Sequence, residues 1–169
     1  MAFQVNAEAV NVLASCAVRH DAMLVHYSTD YVFDGLGNRP NQEMDPTDPV
    51  TVYGQSKLKG ESFIQMSGCR YVILRTSWVI SATGKNFIKT ILKNAQTKDQ
   101  LTVVSDQIGA ATSAGLISRV TGDLIRLDNL SGIDSGIYHL CSSGEASWFD
   151  VAVYAISYAA KKGVSMKCD

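Results

Sequence analysis

Hydrophobic and polar residues follow one another in blocks that predict helices and strands in turn. Between Phe3 and Arg19 the apolar residues recur at mostly helical spacing opposite a polar side, which predicts an amphipathic helix. The next run, Met23–Ser28, is short and apolar with β-branched and aromatic members, which is typical of a buried parallel strand. That strand pattern ends at the polar residues Thr29 and Asp30.

A long segment rich in turn-forming residues follows this strand. The chain from Phe33 to Thr51 collects glycine, asparagine and proline, which excludes regular structure over most of its length. Loops this long inside compact domains are usually functional or disordered. A helical pattern then covers Val52–Met66, and Gly68 is the expected stop at its C-terminal end.

Strands and helices continue to alternate as far as the C-terminus. The predicted strands are Tyr71–Thr76, Leu101–Val104 and Ile137–Leu140, and the predicted helices are Asn86–Ala95, Ser113–Leu127 and Trp148–Lys161. Alternation of this kind favours a parallel sheet covered by helices on both faces. We therefore predict an α/β fold with a doubly wound parallel sheet.

The length and the hydrophobic content indicate a single core. A chain of 169 residues that is 46% hydrophobic can bury one sizeable core. No repeat, low-complexity tract or clear linker interrupts the sequence. We expect one continuous domain, in which residues 1–80 hold the first elements and residues 81–169 the remaining strands and helices.

The charge pattern argues against large anionic partners. Fifteen basic residues balance sixteen acidic ones and are scattered along the chain, so we expect neither nucleic acid nor a membrane as a partner. No apolar run approaches the roughly eighteen residues that span a bilayer, and the start lacks the pattern of a signal peptide. Four widely spaced cysteines show no metal or disulfide pattern, which favours a cytoplasmic location.

The strongest chemical signal is a tyrosine and a lysine on one predicted helix. Tyr53 and Lys57 stand four residues apart and therefore share one helix face. Tyr158 and Lys162 have the same spacing, but no polar strand end precedes them. Tyr53 follows a strand that ends in polar residues, and ligands of open α/β sheets bind at the carboxyl ends of strands.

Five motifs, in order, carry a resemblance to a known family. They are HYSTDYVFDG (26–35), DPTDPVTVYGQSKLKGE (45–61), LRTSWV (74–79), SDQIGAATSA (105–114) and GIYHLCSSGEASW (136–148). The chain resembles the dTDP-4-dehydrorhamnose reductases, which are extended short-chain dehydrogenases/reductases. The motifs cover nearly the whole chain.

The resemblance implies that NADPH, or alternatively NADH, reduces the C4 keto group of dTDP-4-dehydro-L-rhamnose to give dTDP-L-rhamnose for surface polysaccharides. It implies that Tyr53 donates a proton to the developing alkoxide. Lys57 would favour the ionised phenol and hold the nicotinamide ribose, and Thr29 would donate a hydrogen bond to the carbonyl oxygen.

The resemblance also implies a cofactor site and a sugar pocket. Ser28 offers the same hydroxyl chemistry as Thr29, and a threonine at a strand end is often only a cap. Trp78 would stack on the base or sugar, or else be a packed core aromatic. The expected cofactor contacts are Asn6, Ser28, Tyr53 and Lys57, and the expected substrate contacts are Asp30, Tyr31, Trp78, Asn86 and Gln107.

One part of the expected fold is missing from the sequence. A Rossmann-type domain opens with a strand and a glycine-rich phosphate-binding turn, and no such run occurs here. We expect an N-terminally truncated, partial Rossmann-type domain that lacks its first βαβ units and keeps part of a small C-terminal substrate-binding region. The strand before Thr29 then has an unpaired edge, which favours a homodimer. A divalent metal is left open.

Two other functions fit the same residues. Another extended dehydrogenase, a nucleotide-sugar epimerase or dehydratase, would use the same threonine, tyrosine and lysine. A non-catalytic protein is the second alternative, because the regulatory subunit of methionine adenosyltransferase belongs to the same sequence family.

Overall fold

The computed structural model describes residues 1–168, except for the side chains of residues 130 and 131. The helices are α1 (Ala9–Arg19), α2 (Val52–Ser67), α3 (Phe87–Ala95), α4 (Ala114–Ser131) and α5 (Trp148–Lys161). The strands are β1 (Leu24–Thr29), β2 (Tyr71–Thr76), β3 (Val79–Ile80), β4 (Ile108–Gly109), β5 (Thr112–Ser113), β6 (Gly136–His139) and β7 (Ala146–Ser147). A π-helical turn, Gln4–Glu8, leads into α1, and a 3-10 turn, Asp30–Val32, follows β1.

The chain folds into two compact units, and each unit is made of two separate segments. The first consists of Met1–Thr76 and Val120–Leu140, and the second of Ser77–Arg119 and Cys141–Asp169. The sequence-based division of one continuous domain into residues 1–80 and 81–169 stays a prediction.

The first unit is built on a three-stranded parallel sheet in the order β1–β2–β6. Along β1 and β2 the register runs from Leu24 opposite Tyr71 to Thr29 opposite Thr76. Helices α1 and α2 cover one face of this sheet, and Ile64 and Ile73 are fully buried in the core between them.

Residues of α4 lie on the opposite face of the sheet. Tyr27 points away from the α1–α2 face, because side chains alternate along β1. Its hydroxyl lies 2.8 Å from the Thr121 hydroxyl. Helices therefore cover both faces of a parallel sheet, and the predicted α/β fold of the doubly wound kind is confirmed.

The turn-rich segment 33–51 is irregular, as predicted, and polar contacts hold it in place. Glu43 accepts a hydrogen bond from the backbone of His139 at 2.9 Å, and its own carbonyl accepts one from Arg75. Arg39 binds Asp45 through two hydrogen bonds. Because His139 ends β6, these contacts keep the loop beside the carboxyl end of the sheet.

The second unit contains short strands in two pairs. Strands β3 and β5 are parallel, β4 and β7 are antiparallel, and α3 packs on α5. The strand predicted at Leu101–Val104 is wrong, because this segment is irregular. Its Val104 carbonyl accepts a hydrogen bond from Phe149 at the start of α5 instead of from a neighbouring strand.

Of the helices within residues 1–168, none is both long enough and apolar enough to cross a membrane.

Candidate functional site

The carboxyl end of β1 places two hydroxyl side chains side by side, with Ser28 and Thr29 both 5% exposed. Thr29 caps the 3-10 turn, because its hydroxyl accepts a hydrogen bond from the Tyr31 backbone at 3.2 Å. It also donates to the Asp30 carboxylate at 3.0 Å. The Ser28 hydroxyl is buried and has no hydrogen-bond partner within the described part of the chain.

Asp30 lies half-buried next to this pair. Burial raises the pKa of its carboxyl group, and the hydrogen bond from Thr29 opposes that shift. A carboxyl group with a raised pKa binds a proton more readily than an ordinary aspartate does.

Tyr53 lies in the first turn of α2 with 48% of its surface exposed, so its phenol is open to a ligand. Its ring meets the Tyr31 ring edge to face, with 5.8 Å between the centroids. Gly54 permits this approach of α2 to the end of β1. A Cβ atom on Gly54 would lie 2.1 Å from the Tyr31 carbonyl oxygen.

Lys57 projects from the next turn of α2 towards β1 and is 9% exposed. Its Nζ donates to the Tyr27 carbonyl at 2.6 Å and lies 3.1 Å from Nε2 of His26. Burial lowers the pKa of Lys57, and the negative charge of Glu61 opposes that shift. Glu61 itself is bound by Arg75 through two hydrogen bonds.

His26 is the site residue that sequence reasoning missed. Burial, followed by the positive charge of Lys57, lowers its pKa to about 4, so the ring is neutral at pH 7. Strand periodicity could have placed it on the correct face of β1, but not its contact with Lys57. His26 and Ser28 stand two apart and therefore share the face of β1 that α2 covers.

Asn6 meets α2 from the π-helical turn. Its side-chain amide donates to the Ser56 hydroxyl at 3.0 Å, and that hydroxyl donates to the Tyr53 carbonyl at 2.8 Å. The backbone passes so close that a Cβ atom on Gly60 would lie 2.2 Å from the Asn6 carbonyl oxygen. Asn6 thus supports the helix that carries Tyr53 and Lys57, and no direct bond joins it to Lys57.

The structure places the candidate residues in two groups. The first unit holds the cluster around β1 and α2, and the second unit holds Trp78, Asn86 and Gln107. The first cluster contains Asn6, Ser28, Thr29, Asp30, Tyr31, Tyr53 and Lys57.

Trp78 belongs to an aromatic cluster of the second unit. It stacks on Trp148 with 3.6 Å between ring centroids, and Phe87 lies 4.4 Å from Trp148. Its φ angle of 45° falls in the left-handed region, which is uncommon for a bulky residue. Gly109 makes room for the ring, since a Cβ atom there would lie 2.7 Å from it. The half-buried Trp78 indole thus packs against Trp148 and lies close to Gly109.

Asn86 and Gln107 differ in how their side chains are used. Asn86 caps α3, because its side-chain oxygen accepts from the Lys89 backbone and its amide donates to the Ser81 carbonyl at 2.6 Å. Gln107 is exposed, immediately before β4. Both remain predicted substrate contacts.

Tyr158 and Lys162 lie on the surface at the end of α5. The Lys162 Nζ stands 5.6 Å from the centre of the Tyr158 ring, and Tyr154 stacks beside that ring. Their surroundings are those of an exposed cation–π pair, with no strand end beside them.

Across residues 1–168, no three side chains of histidine, cysteine, aspartate or glutamate are grouped to hold a metal ion.

Comparison with known proteins identifies relatives both by sequence and by structure. A protein of Sinorhizobium fredii named dTDP-4-dehydrorhamnose reductase is 46% identical over 158 residues, which cover 92% of this chain and 53% of that protein. The crystal structure of a dTDP-4-dehydrorhamnose reductase from Clostridium acetobutylicum superposes with a TM-score of 0.88 at 36% identity, covering 99% of this chain and 56% of that one.

A reductase of the same name from Bacillus anthracis, solved in complex with NADP, gives a TM-score of 0.85 at 34% identity and covers 97% of this chain and 55% of its own. The chain spans about half the length of the curated relatives that it matches. The family described as the RmlD substrate binding domain matches residues 1–167. The chain therefore belongs to the RmlD substrate-binding-domain family.

Proposed function

We propose that this chain carries the proton-transfer site of a reductase that converts dTDP-4-dehydro-L-rhamnose to dTDP-L-rhamnose with NADPH. The observation that carries the proposal is the pairing on α2. The half-exposed phenol of Tyr53 and the buried amine of Lys57 share one helix face at the carboxyl end of β1. The names of the relatives support the choice of substrate.

Tyr53 acts as the general acid in this proposal. When bound, the cofactor would supply a hydride to the carbonyl carbon of the substrate. As negative charge develops on the carbonyl oxygen, the phenol of Tyr53 transfers its proton to that oxygen. Thr29 stabilises the same oxygen by donating its hydroxyl hydrogen, which requires it to release the Asp30 carboxylate.

The residues present fit a nicotinamide cofactor. The ammonium group of Lys57 has three hydrogens, and Tyr27 and His26 account for two acceptors, which leaves one hydrogen for a ribose hydroxyl. The Ser28 hydroxyl, buried and unpartnered among the described residues, provides a second polar contact of the kind that a bound ligand satisfies. The complex of the Bacillus anthracis relative with NADP supports this assignment.

Each unit holds residues that are proposed as substrate contacts. Tyr31, whose ring meets the Tyr53 ring, and its neighbour Asp30 are proposed to line the sugar pocket. The Trp78 ring, which stacks on Trp148, is proposed to contact the base or sugar as well. Asn86 and Gln107 complete the proposed contacts. The proposal includes a cytoplasmic location, as the cysteine pattern predicts.

Progress of the reaction is measured as loss of NADPH absorbance. The protein that carries this chain, at its natural length, is expected to oxidise NADPH only when dTDP-4-dehydrorhamnose is added. Interconversion of UDP-galactose and UDP-glucose without net loss of NADPH would favour an epimerase instead. Capture of methionine adenosyltransferase without any NADPH oxidation would favour the regulatory alternative.

A further inference from the structure

The hydrogen bonds of Lys57 leave its amine without an anionic partner. Both oxygens of Glu61, the carboxylate whose charge acts on Lys57, accept hydrogen bonds from Arg75 at 3.0 and 2.7 Å. Among the described residues, no carboxylate lies within ion-pair distance of the Lys57 Nζ. The buried ammonium is therefore stabilised by neutral acceptors, and its neighbours on β1 provide them.

Two acceptors on β1 fix the direction of the amine. The Tyr27 carbonyl lies 2.6 Å from Nζ and the His26 Nε2 lies 3.1 Å from it. The carbonyl belongs to the backbone of a paired strand, and His26 lies on the same strand opposite Ile73 of β2. Two fixed acceptors leave the third N–H of a tetrahedral ammonium with one direction.

From this geometry we propose that His26 is a positioning residue. Its neutral ring accepts a hydrogen bond from the Lys57 ammonium through Nε2 and aims the remaining N–H. The inference rests on the proposed function in one respect, namely that the remaining N–H serves the ribose of the cofactor. It also requires a particular tautomer, with the ring hydrogen on Nδ1 and none on Nε2.

The charges around the pair are consistent with this arrangement. Strand β1 contributes His26 itself, and the 3-10 turn after it contributes Asp30. Helix α2 contributes Tyr53 and Glu61, and β2 contributes Arg75, which binds Glu61. A protonated His26 would place a second positive charge 3.1 Å from the Lys57 Nζ in a buried site. A neutral acceptor avoids that repulsion and satisfies the ammonium.

The tautomer is measured directly on the unmodified chain by long-range ¹H–¹⁵N correlation at pH 7.5 with ¹⁵N-labelled histidine. The His26 signals are assigned by their loss in His26→Gln. We expect a protonated Nδ1 and an unprotonated Nε2. A proton on Nε2 would mean that His26 donates to a neutral lysine, and that result overturns the proposal.

Titration of Lys57 supplies the second measurement, followed through its ¹³Cε resonance and assigned with Lys57→Met. His26→Met keeps the bulk and removes the acceptor, so the pKa of Lys57 is expected to fall by about one unit. In His26→Gln the side-chain oxygen replaces Nε2, and the pKa is expected to stay near its value in the unmodified chain. Equal titration of the Met variant and the unmodified chain, or of the Met and Gln variants, would overturn the proposal.

These measurements separate the inference from the proposed function. Neither needs NADPH or a sugar nucleotide, so an absence of reductase activity would leave their outcome unchanged. The tautomer is read from the unmodified chain, and the His26→Gln variant serves only to assign the signals. Conversely, if the reductase were active and Nε2 of His26 were protonated, the proposed function would stand and the positioning role of His26 would be refuted.

Discussion

Tyr53 and Lys57 on α2 differ in exposure, in a way that fits their proposed roles. Tyr53 is 48% exposed, whereas Lys57 is 9% exposed and its amine is bound to β1. A general acid has to reach its substrate, and a group that stabilises charge is most effective where water is excluded. The pair therefore matches the demands of proton transfer better than a pair of surface side chains would.

Replacing Tyr53 tests this division of roles. Tyr53→Phe removes the proton donor and keeps the ring that meets Tyr31, so the fold should persist. We expect turnover of the reductase to fall by roughly 10² to 10⁴, which is the usual range for a lost general acid. The matched control is Tyr158→Phe on the exposed end of α5, which should leave turnover unchanged. If Tyr158→Phe lowered turnover and Tyr53→Phe did not, Tyr53 would not be the general acid.

His26 makes the stability of the fold depend on pH. In the unfolded chain this histidine binds a proton near pH 6.5, and in the folded chain only near pH 4. Between these values the unfolded state holds more protons, so the free energy of unfolding falls as the pH is lowered from about 6.5 to about 4. Below that window both states are protonated and the contribution of His26 stops changing.

Urea unfolding at several pH values measures this effect. Relative to His26→Gln, the unmodified chain should lose up to about 3 kcal/mol more on going from pH 7.5 to pH 4. The comparison cancels other titrating groups, such as Asp30, because both proteins contain them. Parallel curves for the two proteins would show that His26 is not buried in the neutral form.

Sequence reasoning proposed side chains for the chemistry and missed the contact that His26 makes with Lys57. The spacing of Tyr53 and Lys57 predicts a shared helix face, which α2 has. The contact between Lys57 and His26 joins residues on two elements, and spacing within one element cannot reveal it. Thr29 shows a further limit, because the sequence left a cap and a catalytic hydroxyl open and in this structure the hydroxyl caps a turn.

Elements whose signals are local were predicted well. Helix α5 begins and ends where its apolar pattern does, and Ser147 caps it together with Asp150. Gly68 ends α2 with a φ of 78°. The short strands of the second unit were missed because two-residue strands carry no periodicity. The run Leu101–Val104 has a strand-like pattern, but a strand also needs a partner in space.

Contact between α2 and the end of β1 depends on a glycine. Gly54→Ala would bring its Cβ atom to 2.1 Å from the Tyr31 carbonyl oxygen, a backbone atom that cannot rotate away. We expect a loss of stability of at least about 1–3 kcal/mol from overpacking, although alanine favours a helix. Gly122→Ala in α4 is the control, because a Cβ atom on Gly122 would meet nothing within 4 Å and the helix should gain up to about 1 kcal/mol.

Chemical denaturation of the two glycine variants gives the comparison. Opposite signs would establish that the close approach of α2 to Tyr31 exists in solution. If both variants gained stability, the helix would stand farther from β1 than the structure has it, and Tyr53 would not be held beside Tyr31.

At the scale of the whole molecule, one buried ion pair connects three parts of the first unit. Glu61 of α2 is fully buried and binds Arg75 of β2, which is 5% exposed. Arg75 also donates to the Glu43 carbonyl in the loop and lies 5.2 Å from the centre of the Phe33 ring. The sequence could not predict this pair, because Glu61 and Arg75 come from separate elements and each resembles a surface residue in its local pattern.

Removal of one partner from this pair should be costly. Glu61→Gln leaves the Arg75 guanidinium buried without a counter-charge, and breaking a buried pair in this way costs about 3–5 kcal/mol. The control is Asp123→Asn, which breaks the exposed pair with Arg126 on α4 and should cost no more than about 0.5 kcal/mol. Urea unfolding followed by circular dichroism measures both.

The double variant Glu61→Met/Arg75→Met decides whether charge or packing holds the first unit together. If the uncompensated charge causes the loss, replacing both partners with apolar side chains should recover much of the stability lost in Glu61→Gln. The loop would then lose its bond from Arg75 to Glu43, so limited proteolysis within residues 33–51 should become faster. A cost below about 1 kcal/mol for Glu61→Gln would contradict the buried pair itself. Recovery of stability without faster cleavage would show that the remaining contacts of Glu43, above all with His139, are enough to anchor the loop.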